Sequence, residues 1–324
     1  MKKLEDDVMM ETMYWWGIPT FFRCKNDNNI KNCDIGIVGV PHSTGNGTTE
    51  RDQHLGPRAV RNVSPGLKRV HLEFGINPWE KNIINDLGDV PLPEANDNEK
   101  CIERITDYFK KIAISGKKVV SMGGDHSITG GILQGLGDVN SKLTNGSKIN
   151  LIQFDAHTDT YENLDHFLGA KKSAAHWASY TVRNNIVDAS HSTQIGLRGN
   201  PRTLNWLQPS YDLGYQVITM EKYIKIGIDK SIELIHSNLD EKPIYITFDL
   251  DCLDPSFAPA VSNLEPAFKG FSVEEARKLI QSLKGKNIIG GDVVCLMPTK
   301  DSPNNITSMV AASIMFEIIC LLSK

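Results

Sequence analysis

Three segments of the chain share one design, in which a short apolar run is followed directly by histidine or aspartate side chains. The apolar runs, at residues 119–122, 149–154 and 244–248, have the length and composition of buried strands. In a parallel sheet the carboxyl ends of the strands share one edge, which is where such sheets bind ligands. The pattern therefore predicts three parallel strands whose following side chains meet. Those side chains are His126, Asp155, His157, Asp159, Asp249 and Asp251.

Two imidazoles and four carboxylates are more ligands than a single metal ion needs. Ligands of these kinds suit two divalent ions such as Mn2+, which a shared carboxylate holds about 3.5–4 Å apart. A water held between two cations loses a proton near neutral pH and becomes a nucleophile. Because four aspartates roughly balance two divalent charges, the site suits a neutral or cationic electrophile better than an anionic phosphate. The cluster therefore favours hydrolysis at a trigonal carbon.

Strand-like runs alternate with helical patterns along the chain, which indicates βαβ units around a parallel sheet. The runs typical of strands fall at residues 34–40, 83–87, 119–122, 149–154, 193–197, 216–219, 244–248 and 288–294. The segments expected to be helical include residues 98–115, 128–136, 173–182, 201–207, 221–238, 273–284 and 306–322. We predict a single α/β domain over residues 34–324, with about eight mostly parallel strands and helices on both faces of the sheet.

The first 33 residues precede the predicted sheet and carry aromatic side chains among polar ones. Trp15, Trp16, Phe21 and Phe22 all lie in this stretch. Aromatic side chains of this kind usually cover a core or a subunit interface. We therefore expect residues 1–33 to form an arm that serves as an interface or a lid.

The composition of the 324 residues is that of a globular protein, with 40% hydrophobic and 23% charged residues. A net charge of -4 argues against nucleic acid and anionic membranes as partners. The sequence contains no apolar run of transmembrane length and no signal-peptide core at its N-terminus. The six cysteines are scattered and form no CxxC pair, as in proteins whose thiols are kept reduced. We therefore expect a cytoplasmic protein that binds neither nucleic acid nor membrane.

Three blocks of the sequence resemble the signature blocks of the ureohydrolase (arginase/agmatinase) family. They are Gly-Gly-Asp-His-Ser at 123–127, Asp-Ala-His-Thr-Asp at 155–159 and Thr-Phe-Asp-Leu-Asp-Cys-Leu-Asp-Pro at 247–255. The resemblance also includes the first strand, Gly56-Pro57 with Arg61, and the Gly-Gly-Asp of the last strand, so it spans about residues 34–322. It implies an eight-stranded parallel α/β fold and two metal ions, Mn2+ with Ni2+ as the alternative. It further implies hydrolysis of a guanidino group to urea and an amine by a homotrimer or homohexamer.

The resemblance also implies roles for individual residues by matched position. One ion would bind His126, Asp155, Asp159 and Asp249, and the other His157, Asp155, Asp249 and Asp251. Asp155 and Asp249 would then bridge the two ions and take part in catalysis. The family has a histidine that carries a proton to the leaving amine, and both His166 and His176 lie in the matching region. His176 is the closer match, because it stands where the chain re-enters a helix.

Two stretches depart from the family pattern, and both concern the substrate pocket. The family usually has a glutamate on the last strand that pairs with the guanidinium, and this chain has Cys295 there. A cysteine cannot form a forked, charge-assisted pair, so other acceptors are needed. Residues 260–266 replace the usual Thr-Gly-Thr-Pro, and a loop at 43–49 offers several hydroxyls. The residues expected to contact substrate are Thr44, Thr48, His176, Asn263, Glu265 and Cys295.

These observations favour a hydrolase of a small guanidino compound: agmatine, a guanidino acid or guanidine itself. Arginine is disfavoured because no asparagine-rich loop follows Asp159. Two alternatives stay open, namely a catalytically silent subunit with the same fold and a deacylase or formimino-type hydrolase. Four adjacent carboxylates repel one another without metal, which argues against the silent subunit. A deacylase would release a carboxylate instead of urea.

Overall fold

Nine strands form one sheet in the part of the chain that the structure, a computed structural model, describes. Those residues are 13, 15–48, 50–162, 164, 166 and 169–323. Every pair of neighbouring strands is parallel, and the order is β1-β3-β2-β4-β9-β8-β5-β6-β7. The strands are β1 Lys25–Asn26, β2 Ile35–Gly39, β3 Ile84–Asp89, β4 Lys118–Met122, β5 Asn150–Phe154, β6 Thr193–Leu197, β7 Gln216–Thr219, β8 Ile244–Asp249 and β9 Ile288–Val294.

Helices cover both faces of the sheet, because successive strand residues point to opposite sides and both sides are apolar. Ile35 and Ile37 of β2 belong to one hydrophobic core, and Val38 belongs to the other. The first core receives α1, α7, α8 and α9, and the second receives α3, α4 and α5. The helices are α1 Gly56–Val63, α2 Pro78–Lys81, α3 Asn98–Ser115, α4 Ser127–Leu136, α5 Trp177–Arg183, α6 Gln208–Leu213, α7 Met220–Asn238, α8 Val273–Gln281 and α9 Ile306–Leu322. This confirms the predicted α/β domain.

The described part of the predicted arm packs against the sheet. Its residues form β1, which pairs with β3 and brings the strand count to nine instead of about eight. Phe21 and Phe22 are buried in the first core. The backbone N–H of Phe21 donates to the Asp86 carboxylate at 3.1 Å. Residues 1–12 and 14 of the arm lie outside the described residues, and the role of the arm as a lid or interface stays a prediction.

The helix predicted at residues 201–207 is wrong in position. The chain forms α6 at Gln208–Leu213, where Pro209 occupies the first turn and needs no hydrogen-bond partner. Leu204, within the segment predicted to be helical, is fully exposed. Residues 199–206 instead run as a loop toward the carboxyl edge of the sheet.

All six cysteines are free thiols, and all are buried. Among the residues that are described, no helix is both long enough and apolar enough to cross a membrane.

Candidate metal centre

The strands that precede the six predicted ligands lie together in the middle of the sheet. β4, β9, β8 and β5 are consecutive in the strand order and parallel, so their carboxyl ends form one continuous edge. His126 directly precedes α4, Asp249 ends β8, and Asp251 lies in the turn that follows β8. Asp155, His157 and Asp159 lie in the loop after β5. The structure thus brings all six side chains to one place.

His126 is the centre of the first group of ligands. Its Nδ1 atom lies 3.0 Å from Asp155 Oδ2, 3.0 Å from Asp159 Oδ2 and 3.2 Å from Asp249 Oδ2. All four side chains are buried. These are the four residues that the family resemblance assigns to one ion.

His157 belongs to a second group on the other side of Asp155. Its Nδ1 atom lies 3.0 Å from Asp251 Oδ2 and 3.6 Å from Asp155 Oδ1. Asp155 therefore faces His126 with one carboxylate oxygen and His157 with the other. A carboxylate in this position can join two ions.

The loop after β5 turns sharply, which changes how its ligands reach the site. Asp159 has a φ of 52°, in the left-handed region that aspartate tolerates better than most residues. The chain is therefore not extended from Asp155 to Asp159, and the two-residue period of a strand does not explain their convergence. Trp177 fixes the side chain instead, because its Nε1–H donates to Asp159 Oδ2 at 2.7 Å.

A close backbone approach holds His126 in place. Gly124 lies against the backbone of His42, where any Cβ would overlap the His42 carbonyl oxygen. The N–H of Asp125 donates to that same oxygen at 2.9 Å. Gly124 is thus required by the contact between two loops at the carboxyl edge, whereas Gly123 is required by its packing against β9, where a Cβ would lie 2.5 Å from Val294 Cγ1.

A buried hydrogen-bond chain fixes the tautomer of His126. Thr247 donates its hydroxyl proton to Asp292 Oδ1 at 2.6 Å, which leaves its oxygen to accept from His126 Nε2 at 2.9 Å. Asp292 also accepts hydrogen bonds from Thr129 and Tyr245, each at 2.9 Å. With the proton on Nε2, the lone pair of Nδ1 points toward the carboxylates. Sequence reasoning missed this role, although a carboxylate in the apolar run of β9 was a usable signal.

The electrostatics of the cluster favour added positive charge. Burial and the neighbouring Asp251 raise the pKa of Asp249 to about 8. Burial and Asp155 raise the pKa of Asp159 to about 6. Burial also opposes ionisation of Asp155, but contacts with His126 and His157 outweigh it and lower its pKa. Several carboxylates crowded together ionise with difficulty unless cations balance them.

The donor set fits divalent cations. His126 Nδ1 is buried, and among the described residues it has no hydrogen-bond partner, although three carboxylate oxygens surround it. The potential ligand atoms of His126, Asp155 and Asp159 lie within 4.8 Å of one another, and so do those of Asp155, His157 and Asp251. The two groups share Asp155 and offer the nitrogen and oxygen ligands that suit Mn2+ or Ni2+.

A cavity of about 500 Å³ opens above the cluster. Among the predicted substrate contacts, Thr48, Asn263, Glu265 and Cys295 line this cavity, and the ligands His126, His157, Asp159, Asp249 and Asp251 form part of its wall. Thr44 is buried away from it and donates to the carbonyl oxygen of Ala95 at 3.2 Å. Thr49, at the end of the hydroxyl-rich loop, lies outside the described residues.

The two candidate proton carriers occupy different positions. His166 lines the cavity, whereas His176 is absent from its described lining. The ring nitrogens of His176 lie 2.7 Å from Ser173 Oγ and 3.1 Å from the Leu164 carbonyl oxygen. The centroids of the two imidazole rings are 6.1 Å apart. Burial and the nearby His166 lower the pKa of His176.

Arg198 is a second residue that sequence reasoning missed. It is 6% exposed, and its guanidinium donates to the carbonyl oxygens of Asp251, Cys252 and Leu253 at 2.7, 3.2 and 3.0 Å. These bonds hold the turn that carries Asp251. Because the acceptors are backbone atoms of a distant segment, no side-chain pattern in the sequence could reveal the contact.

Comparisons with known proteins identify the family of the chain. A sequence model of the arginase family matches residues 33–321. Guanidinopropionase of Pseudomonas aeruginosa is 30% identical over 310 residues, which cover 95% of this chain and 92% of that protein. Mitochondrial agmatinase of Gallus gallus is 31% identical over 307 residues, which cover 94% of this chain and 86% of that protein.

The fold is also that of a solved relative. The structure of proclavaminate amidino hydrolase from Streptomyces clavuligerus matches with a TM-score of 0.86, at 24% sequence identity, and covers 95% of this chain and 98% of that one. With the family model, the curated relatives and the fold in agreement, the chain belongs to the arginase family and is a hydrolase of its ureohydrolase type.

Proposed function

We propose that this enzyme hydrolyses the guanidino group of a small guanidino compound, releasing urea and an amine, or ammonia when the substrate is guanidine. The observation that carries the proposal is the pair of ligand groups, joined by Asp155, in the wall of an open cavity. The names of the relatives, guanidinopropionase and agmatinase, support a guanidino substrate.

Two divalent cations, Mn2+ first and Ni2+ as the alternative, are the proposed cofactors. Cations bound there would lower the pKa of a water and so supply the nucleophile at neutral pH. His126, Asp155, Asp159 and Asp249 would hold one ion. His157 and Asp251 would hold the other together with Asp155 and Asp249. The chain's own contribution is to fix these side chains through Trp177, Thr247 and Arg198.

Glu265 is the proposed partner of the substrate guanidinium. It lines the cavity, and its Oε1 lies 3.4 Å from His157 Nε2. The contact with His157 lowers the pKa of Glu265, so it is ionised at neutral pH. The thiol of Cys295 also lines the cavity, but burial raises its pKa well above the ordinary value and keeps it neutral. Glu265 can therefore offer the charge that Cys295 lacks.

The two histidines are proposed to carry the proton to the leaving amine. His166, which lines the cavity, would exchange the proton with the substrate, and His176, whose ring centroid lies 6.1 Å from that of His166, would pass it on. The lowered pKa of His176 favours its neutral form at neutral pH. A neutral imidazole can accept a proton and pass it on.

The test is a urea assay on the full chain after its metal has been removed with a chelator and replaced. We expect urea from at least one of guanidine, agmatine and a guanidino acid with Mn2+ or Ni2+, and none in the chelated protein. A matched carboxylate-release assay with acylated amines covers the deacylase alternative. Carboxylate without urea would contradict the proposal, as would the absence of both products with either metal.

A further inference from the structure

We propose that Arg202 makes this enzyme selective for guanidino compounds that carry a carboxylate at the other end of the molecule. The inference rests on the proposed function, because it takes the guanidino group to bind beside the metal-ligand cluster. It concerns the solvent-exposed part of the cavity lining, to which Arg202 belongs.

The acidic side chains of the cavity are already engaged. Asp159, Asp249 and Asp251 belong to the ligand groups around His126 and His157. Glu265, the remaining acidic side chain of the described lining, lies beside His157 and is packed against the backbone of Gly199. Gly199 has a φ of +105°, and a Cβ there would lie 2.5 Å from the Glu265 carboxyl carbon. This part of the lining therefore offers no spare carboxylate for the ammonium group of agmatine.

The two arginines of the cavity lining differ in the contacts that they make. The guanidinium of Arg198 is buried and donates to three backbone carbonyl oxygens. Arg202 is exposed, and within the described ranges it forms no ion pair with an acidic side chain. Arg183, which lines only the neighbouring cavity, is paired with Glu162. Of the two arginines in the described lining, Arg202 is thus the one that remains for a ligand.

The difference in burial between the acidic residues and Arg202 sets the direction in which a substrate would lie in the cavity. Asp249 and Asp251 are each 3% exposed and mark the floor of the cavity, whereas Arg202 is exposed and marks its mouth. Arg202 also borders a second cavity of about 540 Å³, which shares Tyr161, Leu164 and Trp206 with the first. A substrate with its guanidinium at the acidic floor would extend its tail toward Arg202.

The positive charge of Arg202 then favours one kind of substrate tail over another. An arginine guanidinium binds a carboxylate through two parallel hydrogen bonds, and the charge assistance strengthens both. An ammonium tail in the same position meets a like charge, and no acid of the described lining is free to compensate it. The geometry therefore favours a guanidino acid over agmatine.

The experiment compares 3-guanidinopropionate and agmatine as substrates of the full-length, Mn2+-loaded enzyme. The measured quantity is the ratio of their kcat/KM values in the wild type and in Arg202→Gln, Arg202→Glu and Arg202→Lys. We expect the wild type to prefer the acid. Arg202→Gln should lower the ratio by about tenfold or more through the KM of the acid, Arg202→Glu should reverse the preference, and Arg202→Lys should keep part of it.

Arg183→Gln is the matched control, because Arg183 lies outside the candidate cavity and should leave the ratio within about twofold of the wild type. An unchanged ratio in Arg202→Gln overturns the inference. An equal loss on both substrates, which a merely structural role would produce, overturns it as well. If the wild type releases urea but prefers agmatine, only this inference fails. If it releases urea from no guanidino compound, the proposed function itself fails.

Discussion

Asp155 differs from the other carboxylates of the site because its two oxygens face different histidines. Replacing it with alanine should therefore remove both ions, whereas Asp251→Ala should weaken mainly the ion beside His157. Metal content per chain, measured by elemental analysis after dialysis, checks this prediction. The wild type should hold two ions. A single ion in the wild type, or full metal content in Asp155→Ala, would contradict the assignment.

The two histidines beside the cavity can be separated by their effects on turnover. His166→Ala should lower kcat by about a hundredfold, and His176→Ala by less, because only His166 lines the cavity. Both variants should keep their metal, since neither residue belongs to the ligand groups. Steady-state kinetics with parallel metal analysis makes the comparison. The larger loss in His176→Ala would assign the proton transfer to His176, as the sequence alone suggests.

Cys295 occupies the family's glutamate position in a constrained setting. It is 5% exposed, with a φ of 68° that non-glycine residues rarely adopt. Cys295→Glu should lower kcat/KM on the preferred substrate by about tenfold or more, because a larger side chain and a buried charge enter the pocket. Cys295→Ser, which is closer in size, is the control and should lose less. Higher activity of Cys295→Glu on agmatine, with no loss on other substrates, would show that the pocket accepts the glutamate.

The six candidate ligands could be predicted from the sequence because each follows an apolar run at a fixed short distance. The residues around them could not be predicted as well. The position of His176 relative to His166 depends on how residues 160–175 turn, and no periodic pattern specifies that turn. Arg202 carries no motif at all. Its proposed role depends on contacts that the other arginines make and that Arg202 lacks among the described residues, because Arg183 pairs with Glu162 and Arg198 donates to backbone carbonyl oxygens.

At the scale of elements, β8 and β9 are joined by a polar pair that serves the metal site. Thr247 and Asp292 are register partners, and the hydroxyl of Thr247 connects Asp292 to His126. Thr247→Val should weaken metal binding by about 10–100-fold, because His126 loses the contact that fixes its tautomer. Thr247→Ser keeps the hydroxyl and should stay near the wild type. A metal titration monitored by calorimetry measures the metal affinity of both variants. Equal affinities in Thr247→Val and Thr247→Ser would exclude the proposed role of Thr247 and Asp292.

The central strands were easier to predict from the sequence than β1 or the segment at residues 201–207, and the reason is physical. Parallel strands covered on both faces need apolar residues at nearly every position, which makes strands such as β2 and β8 visible as mainly apolar runs. β1 consists of Lys25 and Asn26, both exposed at the sheet edge, and leaves no such trace. The helical spacing at residues 201–207 was misleading because that segment faces the cavity and solvent instead of a core.

At the scale of the whole molecule, the ligands connect segments that are far apart in the chain. His126, Asp155 and Asp249 come from the ends of three strands, and both hydrophobic cores pack against that same sheet. Metal that binds only the folded chain should therefore stabilise it as a unit, by about 2.7 kcal/mol for each site at a concentration 100 times its dissociation constant. The homotrimer or homohexamer stays a prediction that sedimentation can test.

The stability of the chelated protein and the stabilisation that metal adds should depend on pH in opposite ways. The folded-state pKa values of Asp159 and Asp249 are raised to about 6 and about 8, so the folded protein holds protons there that the unfolded chain releases near pH 4. Because a raised carboxyl pKa gives stability that is lost as pH rises through it, the chelated protein should unfold at a lower temperature at about pH 8 than at about pH 6. Mn2+ competes with these protons, so the stabilisation it adds should grow over the same interval. Thermal unfolding in chelator and in excess Mn2+ measures both trends, and a Mn2+ effect that is the same at both pH values would contradict the linkage.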